Sequence, residues 1–307
     1  MVECVAKNKF RRAKVSLFFR LSQGYQSIKR SQQACARLGG EEILLIVMTS
    51  SSACDGLAAA LAGASGKPVL GYWAIRGLAQ PVRTLLAYTQ TPFVDLVYAN
   101  DEAGERAWEA DKAGALPAAG FAFPNLPFLA SSSFSSSPSR DDGGDGSRQR
   151  VRLTQSTALL MHVARASPHL QLLGATPAEA DLCDMFLMQA VDVRAEIGKW
   201  SYGGSDAPAL PPALDASLAP FDAALADGRA FVAGGDAPTV ADFVLVELLL
   251  LVQAAVAARG APGARDALAA CPRLRALVER FRALPGVAAA LEKASTLPWN
   301  WHSAQFK

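Results

Sequence analysis

Tyr72 stands in PVLGYW, a short apolar strand candidate, and no competing nucleophile lies beside it. A neutral phenol at the C-terminal edge of a strand can donate an O–H hydrogen bond to an anionic ligand atom. Such a charge-assisted contact is worth about 1.5 to 3 kcal/mol. Applied to a bound thiolate, it would lower the thiol pKa by one or two units, at about 1.4 kcal/mol for each unit. The bland alternative is a half-buried tyrosine at a sheet edge. Gln155 and Ser156 form a second candidate. They open a helical stretch, where unpaired backbone amides and the helix dipole favour an anion. Asn125, Leu126 and Pro127, just ahead of a strand, read equally well as an ordinary turn.

These residues need a scaffold, and residues 68–167 supply the pattern of one. PVLGYW reads as a strand, and LAQPVRTLLAYT as a helix with Leu78, Val82, Leu85 and Leu86 on one face. FVDLVYA is the next strand, a helical stretch runs around Ala107 to Lys112, and FPNLPFLA is the third strand. Residues 131–150, SSSFSSSPSRDDGGDGSRQR, contain almost nothing able to pack and read as an inserted surface loop. VRL resumes the sheet, and Ser156 to Ala166 closes the unit as a helix. From residue 177 to 294 the period is helical throughout, with Leu182, Phe186, Val193, Ile197 and Trp200 on an inward face. Thr239 and Asp242 have capping-box spacing ahead of an apolar helix. Residues 295–307 form a tail bearing Trp299 and Trp301.

Composition narrows the functional classes. A chain of 307 residues favours two modest globular units. Residues 1–40 hold nine basic side chains and only Glu3 as acid, a charge of +8 that leaves −6 on the remainder. A basic nucleic-acid-binding surface on the folded body is therefore disfavoured. The five cysteines are scattered without CxxC or zinc-like spacing, which argues against a metal centre or a dithiol oxidoreductase and for a reducing, cytoplasmic setting. The apolar run from Phe243 to Val252 contains Glu247 and is short for a bilayer, so it reads as a buried helix rather than a membrane span. Residues 1–67 read as a basic, low-complexity extension, flexible or targeting. Organellar import through residues 1–40, or translation from upstream of a start at Met48, are both open.

The stretch LGYWAIRGLAQ, followed in order by FPNLPFL and TQS, resembles the mu-class glutathione transferases. The likeness runs from about Pro68 to near the C-terminus and leaves out the inserted loop. It implies an α/β thioredoxin-like N-terminal domain (β-α-β-α-β-β-α) followed by an all-α glutathione-transferase C-terminal domain. It casts Tyr72 as the catalytic donor to the glutathione sulfur. Gln155 and Ser156 would hold the γ-glutamyl end. Asn125, Leu126 and Pro127, with a cis peptide before Pro127, would present the Leu126 backbone to the cysteinyl unit. Trp73, Trp108 and Lys112 match residues at the same pocket, the last two serving the glycyl carboxylate. The family arginine three residues before Trp108 is replaced by Glu105, with Arg106 one step along. Arg76 also matches the motif, as a pocket or a helix-entry residue.

By the same resemblance, Asp192 serves the neighbouring subunit's glutathione, Phe123 inserts into the partner of a homodimer, and Leu78 and Tyr202 face an apolar electrophile. Glutathione is then a co-substrate, with no metal and no tightly bound cofactor. The alternatives are a glutathione-dependent isomerase or peroxidase, or a catalytically weak transferase-like structural protein.

Overall fold

The computed structural model describes residues 31–38, 41–48, 54–131, 150–203, 214–259 and 266–304. Its sheet has six strands in the order β1-β2-β4-β3-β5-β6. They are β1 (Ser31–Leu38), β2 (Glu41–Met48), β3 (Val69–Trp73), β4 (Val94–Tyr98), β5 (Phe128–Ser131) and β6 (Val151–Thr154). β3 and β4 are parallel, joined by α2 (Gln80–Tyr88), whereas β5 runs antiparallel to β3 and β6 antiparallel to β5. Between β4 and β5 come α3 (Glu102–Ala110), a π-helical turn (Asp111–Ala115) and the short α4 (Leu116–Ala118). After β6, α5 (Ser156–Ala166) closes the unit. From β3 onward the order is the expected β-α-β-α-β-β-α. Ser131 and Val151 are partners in the β5–β6 ladder, so the inserted loop leaves and rejoins the sheet at one register position. Residues 132–149 of that loop lie outside the described residues.

The N-terminal boundary differs from the one expected. Strand β1 pairs antiparallel with β2, and β2 pairs in parallel with β4, from Leu44 opposite Val94 to Met48 opposite Tyr98. Helix α1 (Cys54–Gly63) then returns the chain to β3, and its Leu57 and Ala60 pack with Val94, Leu96 and Leu116. The αβ layer thus starts well before residue 68. Ile43 to Met48 hid this because a parallel strand reads as an unbroken apolar run, not as the alternation of a half-exposed strand. Residues 1–30, where import was considered, lie outside the described residues.

The second layer is all-helical: α6 (Pro177–Tyr202), α7 (Leu214–Ala224), α8 (Val240–Arg259), α9 (Pro272–Arg282) and α10 (Val287–Ala294). Every residue of α8 from Val240 to Val252 is buried. Asp242 starts it: its carboxylate accepts the Thr239 N–H at 2.8 Å and the Val232 N–H at 3.0 Å, tying the preceding loop to the first turn. At full helical length α8 is the one described helix long and apolar enough to cross a bilayer, a length the ten-residue count understated, yet 78% of that stretch is buried inside the protein. The largest apolar cluster joins the layers: Leu70, Val82, Leu85, Leu86, Leu129 and Leu159 share it with Phe186, Phe243 and Leu277. Leu78, expected on the α2 face with these leucines, precedes the helix and is 42% exposed. A second cluster, around Tyr98, Trp108 and Phe128, lies between the sheet and α1, α3 and α4.

Candidate functional site

Tyr72 comes from the next-to-last position of β3, where the chain leaves the sheet toward α2. Its side chain is only 6% exposed, and burial raises the phenol above its ordinary pKa of 10.0, against the opposing pull of the Leu78 N–H and of Arg194 and Arg83. The hydroxyl is therefore protonated at neutral pH. The Leu78 N–H donates to Tyr72 Oη at 3.0 Å, filling an acceptor position and leaving the hydroxyl proton available for donation. Gly77 makes this geometry possible. It has φ +46°, and a Cβ there would come within 2.6 Å of Tyr72 Oη.

Two buried arginines fix this turn from outside. Arg83 of α2 spans Asp95 of β4, at 3.1 and 3.2 Å, and the Ile75 carbonyl at 2.8 Å. Arg76 reaches into the helical layer, where Nε and Nη2 meet Glu247 of α8 at 2.9 and 2.7 Å. Arg76 thus links the two layers. The tail completes the clamp. The Pro298 carbonyl accepts the Arg76 N–H at 2.8 Å, and the Trp299 carbonyl accepts the Gly77 N–H at 3.2 Å. The Trp299 ring lies 3.8 Å from the Arg76 guanidinium. Farther on, the Trp301 N–H donates to Tyr202 Oη and the His302 N–H to Asn100 Oδ1.

The end of α6 brings up a residue the sequence did not single out. Arg194 lies close enough to Tyr72 to pull its pKa down, and Arg194 Nη1 is buried without a hydrogen-bond partner. Tyr202, at the end of the same helix and 51% exposed, also bears on Tyr72 electrostatically. No local pattern marks Arg194, because an arginine on a helix ordinarily reads as a solvated residue. Tyr72, Leu78, Arg194 and Tyr202 thus draw together from the sheet, the turn and α6.

The residues expected to hold glutathione divide into two groups. Gln155 precedes α5 with φ 73° and ψ 112°, an uncommon conformation for a side-chain-bearing residue. Neither a side-chain cap nor an acidic residue in the first turn occupies that helix start, the kind of helix N-terminus that favours an anion. The Leu126–Pro127 peptide is cis, as expected, and Asn125 Oδ1 accepts the Leu126 N–H at 2.9 Å. Asn125 is exposed and Leu126 half-buried.

The remaining group is less closely organised. Trp108 is buried in the second apolar cluster, edge-on to Tyr98 and Trp73. Trp73 is half-buried and also packs against Trp301 in a tilted contact, with ring centroids 4.2 Å apart. Lys112 lies on the surface in the π-helical turn, 3.5 Å from Glu109. Glu105 is exposed, and the exposed Arg106 lies 3.7 Å from Glu102 on the same helix. Asp111, next to Lys112, is fully buried. Tyr98 donates to it at 2.7 Å, and burial pushes its carboxyl up to about 6.

On the outer surface, Asp192 shares a face of α6 with Met185 and Met188, all exposed, and Phe123 projects from its loop 78% exposed. Among the described residues no group of His, Cys, Asp or Glu could hold a metal ion, and Cys183 and Cys271 are buried cysteines outside any disulfide.

The chain is similar to known proteins along most of its length. A family profile described as Glutathione S-transferase, C-terminal domain, matches residues 191–294. A Glutathione S-transferase of Tyrophagus putrescentiae is 30% identical over 245 residues, covering 79% of this chain and 97% of that protein. Glutathione S-transferase Mu 1 of Oryctolagus cuniculus is 31% identical over 232 residues, covering 73% and 90%. Among solved structures, a Pi-class Glutathione S-transferase of Onchocerca volvulus superposes with a TM-score of 0.59 at 26% identity, covering 78% of this chain and all of that one.

Proposed function

Because this chain belongs to the glutathione S-transferase family and is an enzyme of that type, we propose that it joins the glutathione sulfur to apolar, electrophilic carbon compounds in a Tyr72-dependent step. Glutathione is the co-substrate. The observation that carries the reading is the Tyr72 hydroxyl, buried, protonated and filled on its acceptor side by the Leu78 amide. A phenol so arranged donates its proton outward. A donor of this kind favours the thiolate over the thiol, so the thiol proton leaves to solvent and the sulfur is poised for attack.

In the attack a sulfur lone pair forms the new bond to carbon. The displaced group leaves with its electron pair, or in a conjugate acceptor the electrons move onto the acceptor's oxygen. Arg194 Nη1, unpaired and near Tyr72, is suited to receive that developing charge. So is Tyr202, whose oxygen already accepts the Trp301 amide and whose proton can point inward. Leu78, exposed beside the phenol, gives the electrophile an apolar contact.

For glutathione itself we assign the γ-glutamyl carboxylate to the start of α5 at Gln155 and Ser156, and the cysteinyl backbone to Leu126 beside Pro127, once Asn125 releases the Leu126 N–H. Lys112 draws the glycyl carboxylate, while Trp73 and Trp108 form the wall beneath it. We further place the enzyme in the mu class, on the LGYWAIRGLAQ motif and the Mu 1 relative, and read it as a homodimer. The exposed Phe123 and the Met185, Met188 and Asp192 face of α6 suit a two-fold interface, with Asp192 reaching the neighbouring subunit's γ-glutamyl ammonium. Buried cysteines not joined in a disulfide suit a reducing, cytoplasmic setting, and the burial of α8 within the helical layer suits a chain with no membrane span.

Tyr72→Phe tests this reading. Turnover of an aryl halide should fall by about one to two orders of magnitude, matching the loss of one charge-assisted hydrogen bond, with the far-ultraviolet spectrum unchanged. Equal turnover by the two proteins would refute the assignment.

A further inference from the structure

One carboxyl group beside Lys112 has no part in the proposed reaction. Asp111 opens the π-helical turn, is fully buried, and immediately precedes Lys112, whose ammonium sits 6.0 Å from the centre of the Trp108 ring. A π-helical turn inserts an extra residue into a helix and occurs frequently at functional sites. Here it holds a buried acid and an exposed lysine at consecutive positions.

The Tyr98 hydroxyl donates to Asp111 Oδ2 at 2.7 Å, while Oδ1 is buried with no hydrogen-bond partner among the described residues. An ionised carboxylate so placed carries an uncompensated cost of desolvation. Asp111 therefore keeps its proton up to about pH 6, higher than a surface aspartate. Tyr98 stays protonated throughout, since burial and the carboxyl beside it hold the phenol well above its ordinary 10.0. The Tyr98 ring lies edge-on to Trp108, 5.5 Å between centroids, and so joins the acid to the wall assigned to the glycyl unit.

On β4, besides Tyr98, Asp95 is engaged by Arg83. Helix α3 meets the cluster with Ala107 and Trp108, and its Glu102, Glu105, Arg106 and Glu109 are exposed. Helix α4 carries no charged residue, and α1 packs through Leu57 and Ala60, with Cys54 and Asp55 at its start. A carboxylate at Asp111 repels a second carboxylate held by Lys112. The ligand is thus disfavoured above about pH 6, where Asp111 is ionised, and favoured below, where it is neutral. Reciprocally, a bound glycyl carboxylate raises the proton affinity of Asp111, so binding takes up protons.

We propose that Asp111 is a proton-linked charge switch on glutathione affinity: neutral, it leaves Lys112 to hold the glycyl carboxylate, and ionised, it opposes that charge. The switch rests on the assignment of the glycyl carboxylate to Lys112.

The test titrates the full chain by calorimetry between about pH 5 and about pH 8, in buffers of differing ionisation enthalpy. The ligands are S-hexylglutathione, whose alkylated sulfur cannot ionise, and its glycinamide counterpart, which lacks the glycyl charge. The glycyl carboxylate itself, with a pKa of about 3.5, stays ionised over this range. In the parent the tripeptide should bind about threefold or more tightly at the acid limit than at the alkaline one, with proton uptake in between, while the glycinamide changes by less than about twofold. Asp111→Asn keeps an acceptor for Tyr98 without the charge. It should bind the tripeptide at the alkaline limit about as tightly as the parent does at the acid one, with the proton uptake gone. Should that variant fail to fold, Tyr98→Phe removes the donor that favours the carboxylate and should carry the affinity change to higher pH by about one unit. Equal profiles for the two ligands, a profile unmoved in Tyr98→Phe, or one retained in Asp111→Asn, as a histidine such as His302 would give, would each overturn the switch. Binding of neither ligand at any pH would instead remove the glutathione reading beneath it.

Discussion

The two ends of the proposed glutathione site are built in opposite ways. At the sulfur end, Tyr72 is buried and held by an amide, by a glycine that leaves room for nothing else, and by arginines anchored to Asp95 and Glu247. At the glycyl end, Lys112 is a surface side chain with a surface partner, the family arginine is a glutamate, and Arg106 is paired with Glu102. Chemistry demands a fixed hydrogen-bond geometry, because only a contact strengthened in the transition state accelerates reaction. Holding a carboxylate near the surface demands only approximate charge. On the proposed reading the contrast would separate catalytic rate, set at one end, from affinity, set at the other.

Substitutions at the rigid end should therefore act on kcat. Gly77→Ala would force a side chain into a positive-φ position and against the phenol. We expect turnover to drop by about tenfold or more, with a smaller change in the KM for glutathione. A kcat within twofold of the parent would mean that the turn is more accommodating than its geometry implies.

Arg194→Met keeps the bulk and removes the charge. Turnover should fall by about tenfold for substrates that develop full negative charge on a nitroarene, and by less for reactions with little charge build-up. A uniform effect across a series of electrophiles would assign Arg194 to packing instead.

The loose end should respond more weakly and in a different parameter. Lys112→Ala is expected to raise the KM for glutathione by about threefold and leave kcat unchanged, as suits an exposed charge contact. If kcat moved instead, the division between the two ends would fail.

Most of the αβ unit from β3 onward and the helical layer were legible in the sequence, since strands such as VLGYW and the capping residues Thr239 and Asp242 carry local signals. Tyr72 and Gln155 were assigned through the motifs that contain them, and the cis Leu126–Pro127 peptide expected from the same resemblance is present. What could not be read depends on partners distant in the chain. β2 is a strand because β4 offers it an edge, and nothing within Glu41–Met48 announces that edge. Arg76 and Arg83 look like ordinary helix-entry charges until Glu247, 171 residues away, and Asp95 are brought against them. Nothing near Arg194 in the chain marks it either. Phe123 and Asp192 were legible as types, but their exposure emerges only when the rest of the core has closed without them.

The central claim is that one phenolic proton keeps the glutathione sulfur ionised. Ultraviolet titration of the thiolate in the binary complex measures this directly. The account predicts that the bound thiol titrates about one to two units below free glutathione in the parent enzyme and returns close to the free value in Tyr72→Phe. A bound thiol titrating at the same pH in both proteins would contradict it.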